Sequence, residues 1–600
     1  MKYAQVLIRW LVQEGYTTCY FVAGGNIMHL LDGIRSQVRC IPVVHEVAAA
    51  IAVEYHNEVG SAAEGVHERA FALVTAGPGL TNALTGLAGA YLESRDLLLI
   101  GGQVKREDLA PSGLRQLGIQ EVDGVAMAAP VCKLSQRLLE PWPRQLLIEA
   151  VRQGRCGRPG PVFLELPLDV QAMAVPEGWL EPEPSSECTA DVGGGSTSMA
   201  SAPLLPPDLM QALRDASRPT LLLGGGLSRR FCREHQQALA QLPFPVMTTW
   251  NAADRIPADQ GNYAGRPNTW GMRYSNMLLQ QSDLLLAFGT RLGLQQTGFN
   301  WQAFLPHGRV AQVDIDPAEL AKPNPRVDWP ICGDAHLALL ELLQADLGDY
   351  ADWLKFACDI KQALPLSEPA NTTEPGYLNP YDFALELSTI CADQDLIIPC
   401  SSGGAFTVMM QAFQQRQGQV MITDKGLASM GYGLSGAIGA AVAAPDRRVV
   451  LVEGDGGFTQ NLQELATVAA NALNLKIFLF SNNGYASIRM TQKNYFGGAY
   501  LGCDVESGLG FPDWSKLFDS YGIPMMTLED GWFGRADFQA AFTGSTPFAF
   551  MVPIDPSQTF FPKISSRVRA DGGMESNPLH RMSPDLSGIE VKRWSPFLDE

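Results

Sequence analysis

Short runs of leucine and β-branched residues recur along the chain with helical stretches between them, and this rhythm restricts the fold more than any other feature. Strand–helix–strand alternation builds parallel sheets covered by helices on both faces. A first stretch offers strands at Cys40–Val44, Phe71–Thr75, Leu97–Gly101 and Val162–Leu166, with helices over Glu46–Glu58 and Leu80–Tyr91. A second offers Pro219–Leu223, Pro245–Thr249, Asp283–Phe288 and Val310–Asp314, and a third Leu396–Pro399, Val420–Thr423, Arg448–Glu453 and Lys476–Ser481. Glu181–Pro207 is rich in Pro, Ser and Gly without periodicity and reads as a linker. Composition shifts again around Ser367–Pro380, and after Pro553 the pattern fades. The chain has 600 residues, and one core stops growing near roughly 250–300. The expected fold is therefore α/β, with three doubly wound parallel-sheet domains over 1–180, 204–350 and 375–556 and an extended C-terminal tail over 557–600.

Composition narrows the function. With 46% hydrophobic and 18% charged residues the chain is ordinary for a globular protein, and its net charge of −19 repels phosphate backbones and anionic lipid. Neither nucleic acid nor membrane is an expected partner. No apolar run reaches the ~20 residues of a membrane span. Met1–Tyr20 holds Arg9 and Glu14 within its apolar pattern and lacks a small-residue cleavage site, so it reads as an amphipathic helix. The 11 cysteines form no CxxC pair, which suits reduced thiols and a cytoplasmic protein.

The sharpest chemical feature is Gly454-Asp455-Gly456 at a strand end, followed 27 residues after Asp455 by Asn482-Asn483-Gly484 at the next strand end. Strand ends of one parallel sheet bring their loops together where such sheets bind ligands. The Asp455 carboxylate, the Asn482 amide oxygen and a carbonyl such as that of Gly484 are hard donors suited to Mg²⁺ or Ca²⁺ with phosphate and water. Gly454, Gly456 and Gly457 let backbone N–H groups approach a phosphate. Either motif alone reads as a turn; together, in strand–helix–strand context, they point to a ligand.

This pattern resembles the metal and diphosphate motif of thiamine diphosphate enzymes, and the likeness runs from Tyr20 to Pro556. It implies pyrimidine-binding, central and diphosphate-binding domains, thiamine diphosphate and Mg²⁺. The family's pyrimidine-side glutamate is matched by Glu46 in Val43-Val44-His45-Glu46, where it would drive the aminopyrimidine toward its proton-accepting form. Taken alone, Glu46 would read as a first-turn carboxylate on a helix dipole. Met430 matches the apolar wedge under the cofactor and Ala428 the backbone carbonyl facing its amine, although a lone Met is commonly core filling. The implied cofactor-binding residues are Gly25, Gly403, Gly404, Ala428, Met430, Gly454, Asp455, Gly456, Gly457 and Asn482, and the implied metal ligands Asp455, Asn482 and Gly484.

Gly77-Pro78-Gly79, Gly101-Gly102-Gln103 and Gly426–Leu434 bring the resemblance nearest to acetolactate synthases and their carboligase relatives. Plain 2-oxoacid decarboxylases carry a Pro-Gly-Asp turn and a His-His pair. Here the turn is Ala23-Gly24-Gly25-Asn26 and no two histidines adjoin. Gln120, in Ile119-Gln120-Glu121, matches a residue that would hold the intermediate or the acceptor, or it is a polar loop residue. The family's Gly-Gln-His is Gly403-Gly404-Ala405 here, which leaves phosphate to backbone amides and Ser401 or Ser402. Thr491 stands where a Trp is expected, which opens the acceptor pocket toward a keto-sugar nucleotide. The tail either closes over the site as a lid or packs as an extension. Leu221–Gly226, Phe288–Leu292 and Val313–Pro317 resemble the segment that holds FAD in acetolactate synthases, while related enzymes keep that domain without flavin.

The resemblance thus implies a carboligase that decarboxylates pyruvate or a similar 2-oxoacid and transfers the acyl unit to a carbonyl acceptor. A homodimer or homotetramer follows, because in this family the glutamate and diphosphate motifs meet across a subunit boundary. A flavin or nicotinamide oxidoreductase is the main competitor, but it leaves Glu46, Asp455 and Asn482 unexplained.

Overall fold

A computed structural model describes residues 1–62, 68–180, 203–569 and 571–598. The expected linker over Glu181–Pro207 lies outside the described residues as far as residue 202. Three parallel sheets follow in chain order. The first holds β1 (Tyr16–Phe21), β2 (Arg39–Pro42), β3 (Arg69–Val74), β4 (Leu97–Gln103), β5 (Leu134–Arg137) and β6 (Pro161–Pro167), in the order β2-β1-β3-β4-β6-β5. The second holds β7 (Pro219–Leu223), β8 (Val246–Thr248), β9 (Leu284–Phe288), β10 (Arg309–Asp314) and β11 (Trp329–Cys332), in the order β11-β10-β9-β7-β8. The third holds β12 (Leu396–Ile398), β13 (Val420–Met421), β14 (Val449–Gly454), β15 (Leu475–Ser481), β16 (Met525–Thr527) and β17 (Phe548–Pro553), in the order β13-β12-β14-β15-β17-β16.

The central strands are buried on both faces, which is why they read as continuous apolar runs such as Leu97–Ile100 and Leu284–Phe288. The expected N-terminal helix is shorter than the sequence suggested. It ends at Gln13, Gly15 adopts φ +90°, and Tyr16–Phe21 forms β1 within its sheet. Glycine supplies the left-handed turn, and the aromatic and threonine residues after it favour a strand.

The outer sheets are joined through helices. The Glu46–Ala62 helix, rich in alanine, lies against the Tyr432–Ala443 helix, rich in glycine and alanine. A side chain at Gly439 would collide with the Ala52 carbonyl, so backbone meets backbone. Arg95 ties this seam by pairing with Glu54 at 2.5 Å and donating to the Thr423 carbonyl at 2.8 Å. The described tail packs along the central domain: Asn276 donates to the Leu579 carbonyl, Arg273 to that of Met582 and Gln281 to that of Trp594. Among the described residues no helix is long and apolar enough to cross a membrane.

Candidate functional site

The third sheet reverses its strand order between β12 and β14, and ligands of open α/β sheets settle at such a reversal. Gly403 and Gly404 open the Gly403–Ala412 helix after β12, and Gly454 and Asp455 follow β14. Gly403 (φ +84°) and Gly454 face open space, with no heavy atom within 4 Å of where a side chain would begin. Asp455 is buried and cross-links two strand ends: Oδ1 accepts from Gly456 N at 2.7 Å, and Oδ2 from Asn482 N at 2.9 Å and Asn483 N at 2.7 Å. Burial pushes its carboxyl up to about 6 against the pull of those backbone donors. The Asn482 Oδ1 is buried without a hydrogen-bond partner. Arg489, from the Ala486–Phe496 helix, holds the Asn482 and Asn483 carbonyls at 3.2 Å, and Gly484 bridges to Asp504.

After β13 the chain runs into Gly426–Met430, and Ser401 Oγ donates to the Ser429 carbonyl at 2.5 Å. Ala428 has φ +57°, and Met430 is 37% exposed. Two carboxylates hold this loop. Glu93, from the Pro78–Glu93 helix of the first domain, accepts from Lys425 N at 2.7 Å and from Gly426 N. Asp424 Oδ1 accepts from Leu427 N at 3.0 Å and Ala428 N at 3.2 Å. Four successive amides are thus pinned. Sequence reasoning missed both acids, for only the fold brings Glu93 against residues more than 300 positions away.

The first sheet reverses between β1 and β3. Gly25 follows β1, and no heavy atom lies within 4 Å of where its side chain would begin. Glu46, after β2, is 8% exposed and accepts from Asn82 Nδ2 at 3.0 Å. The amides just before it are held by another domain: Glu464 accepts from Val44 N at 3.1 Å and His45 N at 2.9 Å. Gln120 is exposed, takes φ +64° and lays its carbonyl over Gly77. Its neighbour Glu121 staples the loop by accepting from Ala110, Leu117 and Gly118 N; desolvation opposes the charge, but these donors hold the carboxyl below its ordinary range. Two clusters result, one on each outer sheet. No hydrogen bond among the described residues joins Glu46, Gln120 or Gly25 to the Asp455 group.

The family's N-terminal thiamine pyrophosphate-binding domain matches residues 1–127, its central domain 208–342 and its C-terminal thiamine pyrophosphate-binding domain 402–550. The chain belongs to the thiamine pyrophosphate enzymes. Among its relatives, a probable acetolactate synthase large subunit of Methanocaldococcus jannaschii is 29% identical over 571 residues, covering 93% of each chain. The acetolactate synthase isozyme 1 large subunit of Escherichia coli is 29% identical over 575 residues, 94% of this chain and 95% of its own. The acetolactate synthase large subunit of Lactococcus lactis is 28% identical over 585 residues, 95% of each.

As a thiamine pyrophosphate enzyme the chain needs room for a diphosphate, and the residues of the C-terminal cluster fit that group and a cation beside it. The open glycines beside two helix starts admit phosphate oxygens. The orphaned Asn482 oxygen awaits an electropositive partner, since a buried acceptor left unpaired costs about 1–3 kcal/mol. Among the described residues no three His, Cys, Asp or Glu side chains are grouped to hold a metal. A cation here would therefore draw its remaining oxygens from phosphate and water, which ties it to the cofactor. The central glycines behave differently. Side chains at Gly224 or Gly226 would run into Gly289, so these turns pack closely on each other.

Proposed function

We propose that this thiamine pyrophosphate enzyme is a Mg²⁺-assisted, acetolactate synthase-like carboligase, which decarboxylates pyruvate or a similar 2-oxoacid and passes the acyl unit to a carbonyl acceptor. The observation that carries the reading is Asp455 beside the unpartnered Asn482 oxygen at the sheet reversal. When bound, the cofactor supplies a carbon that adds to the 2-oxoacid carbonyl. Asp455 and Asn482, with the Gly484 carbonyl, would hold the cation, and the amides at Gly403, Gly404, Gly456 and Gly457 the diphosphate. Glu46, oriented by Asn82, would exchange a proton with the cofactor's pyrimidine. Ala428 and Met430 present a carbonyl and an apolar support from the pinned loop, and Gln120 lies ready to meet the acceptor.

Two copies would complete each site by setting Glu46 of one chain against Asp455 of the other. Exposed apolar side chains support such pairing on both domains, with Leu114, Leu117 and Ile119 on one and Ile488, Phe496 and Leu501 on the other. Homodimer or homotetramer is read out by light scattering. A second acceptor class, the keto-sugar nucleotide, is favoured by Thr491. This residue is exposed, and its hydroxyl folds back on the Ser487 carbonyl at 2.9 Å.

The deciding assay supplies pyruvate, thiamine diphosphate and Mg²⁺ and identifies products by mass spectrometry, with and without a keto-sugar nucleotide. Acetolactate from pyruvate alone marks a synthase. A branched sugar formed only with the nucleotide marks the second reading, and absence of CO₂ in both refutes the donor. Glu46→Gln should keep fold and cofactor binding while turnover falls about 10²–10⁴-fold, the usual worth of a positioned proton-transfer group. Unchanged turnover would remove Glu46 from the mechanism.

A further inference from the structure

A small cleft lies between the central and C-terminal domains, on the far side of β13 from the Gly426–Met430 loop in chain order, and its lining is basic. Its floor is Arg229 and Arg255, both nearly buried, which share the Asp254 carboxylate. Arg229 also pairs with Glu58 of the first domain at 2.6 Å, and Glu58 is shared in turn with Arg95 at 3.9 Å. Arg233 lines the wall. It donates to the Ala62 carbonyl at 2.9 Å, and no carboxylate among the described residues lies within ion-pair distance. Beside it Arg447 donates to the carbonyls of Gln394 at 2.6 Å and Gly418 at 3.0 Å, and Gly418 also lines the cleft. Burial, and then the charge of Arg233, lower Arg447 to about 10, while the neighbouring Asp395 is engaged with Arg448 at 2.5 Å.

Three guanidiniums thus line the cleft and a fourth, Arg447, holds its Gly418 edge, and among the described residues two carboxylates, Asp254 and Glu58, are ion-paired with this group, in a chain whose net charge is −19. Guanidinium forks match phosphate oxygens two at a time. A phosphate group brings about −1.5 to −2 charges at neutral pH, which matches the excess of guanidiniums among the described residues better than a single carboxylate would. We infer that the cleft is a phosphate-binding site, distinct from the cofactor's, in which Arg233 and Arg447 grip the anion above Arg229 and Arg255. The site has a route to the thiamine loop. Arg229 donates to the Met421 carbonyl at 3.0 Å and Asp254 accepts from Met421 N at 2.9 Å, and β13 leads from Met421 directly into Asp424 and the pinned amides.

The test is calorimetric titration of inorganic phosphate, and separately of a nucleoside diphosphate, into protein already saturated with thiamine diphosphate and Mg²⁺ at constant ionic strength. Saturable binding of one anion per chain is expected, weakened at least about tenfold in Arg233→Ala, the effect of losing one charge-assisted contact. Arg447→Gln serves as a second variant that should show the same loss. Equal affinity for both ligands identifies the inorganic ion as sufficient, and tenfold tighter nucleotide binding identifies a phosphorylated metabolite. No saturable binding, or affinity unchanged in both variants, overturns the site.

Discussion

The central and C-terminal domains share a plan and differ at one place. Both sheets reverse strand order at a pair of glycine-bearing turns, β7 with β9 in the centre and β12 with β14 at the C-terminus. In the centre the two turns close on each other: Gly226 N donates to the Gly289 carbonyl at 2.9 Å, and no side chain fits between them. At the C-terminus the corresponding Gly403 and Gly454 face space, and the acid after them gathers the amides of the next strand end. Glycine after a strand therefore has two uses, tight backbone packing or an open approach for a ligand. Only the neighbours of the missing side chain tell which.

Paired substitutions separate the two uses. Gly224→Ala drives a methyl into the Gly289 backbone and should cost roughly 3 kcal/mol, as overpacking does, read as a lower melting temperature in apo and holo protein alike. Gly454→Ala has room and an ordinary φ of −80°. It should leave melting of the apo protein within about 0.5 kcal/mol of wild type. The same change should weaken thiamine diphosphate binding about tenfold, or 1.4 kcal/mol, measured by fluorescence or calorimetry. Equal effects of the two substitutions on melting and on cofactor affinity would erase the distinction.

Much of this contrast is legible in the sequence and some is not. The turns stand out because glycine, aspartate and asparagine at strand ends are local signals, and Asp455 and Asn482 do meet across β14 and β15. Strands β5, β11 and β16 escape a sequence reading because each is a short edge of three or four partly exposed residues with little pattern. The apolar run of β17, Phe548–Pro553, goes unassigned there although its signal is present. The hold of Glu93 and Asp424 on the Gly426–Met430 loop is invisible for a different reason. A lone acid near a helix end looks like any other, and the partners of Glu93 are backbone amides of another domain, which carry no sequence signature.

That hold makes the open site dependent on the first domain and offers a milder test. In Glu93→Gln the oxygen that accepts from both the Lys425 and Gly426 amides loses its charge, and the new amide group replaces the oxygen that accepts from Asn251 Nδ2. Losing about 1 kcal/mol of hydrogen bonding should weaken cofactor binding about fivefold, with the melting of the central domain unaltered. An unchanged cofactor affinity would show that the loop keeps its shape without the first domain.

The smallest effect concerns the tail that braces the closed centre. His580 sits beside Gln280 of the central domain, and burial, followed by the charge of Arg581, lowers it to about 4. Its folded form therefore binds fewer protons than the unfolded chain between pH 4 and the ordinary value of 6.5. Stability from this group is fully present above 6.5 and is lost as pH falls toward 4. Solvent at this partly covered site limits the effect to about 1 kcal/mol. His580→Asn, which cannot take up that proton, should flatten the acid side of the melting curve by that amount while leaving cofactor affinity at neutral pH unchanged. A mutant profile parallel to wild type from pH 6.5 to 4 would show that the tail's grip on the centre rests on its backbone bonds to Arg273, Asn276 and Gln281.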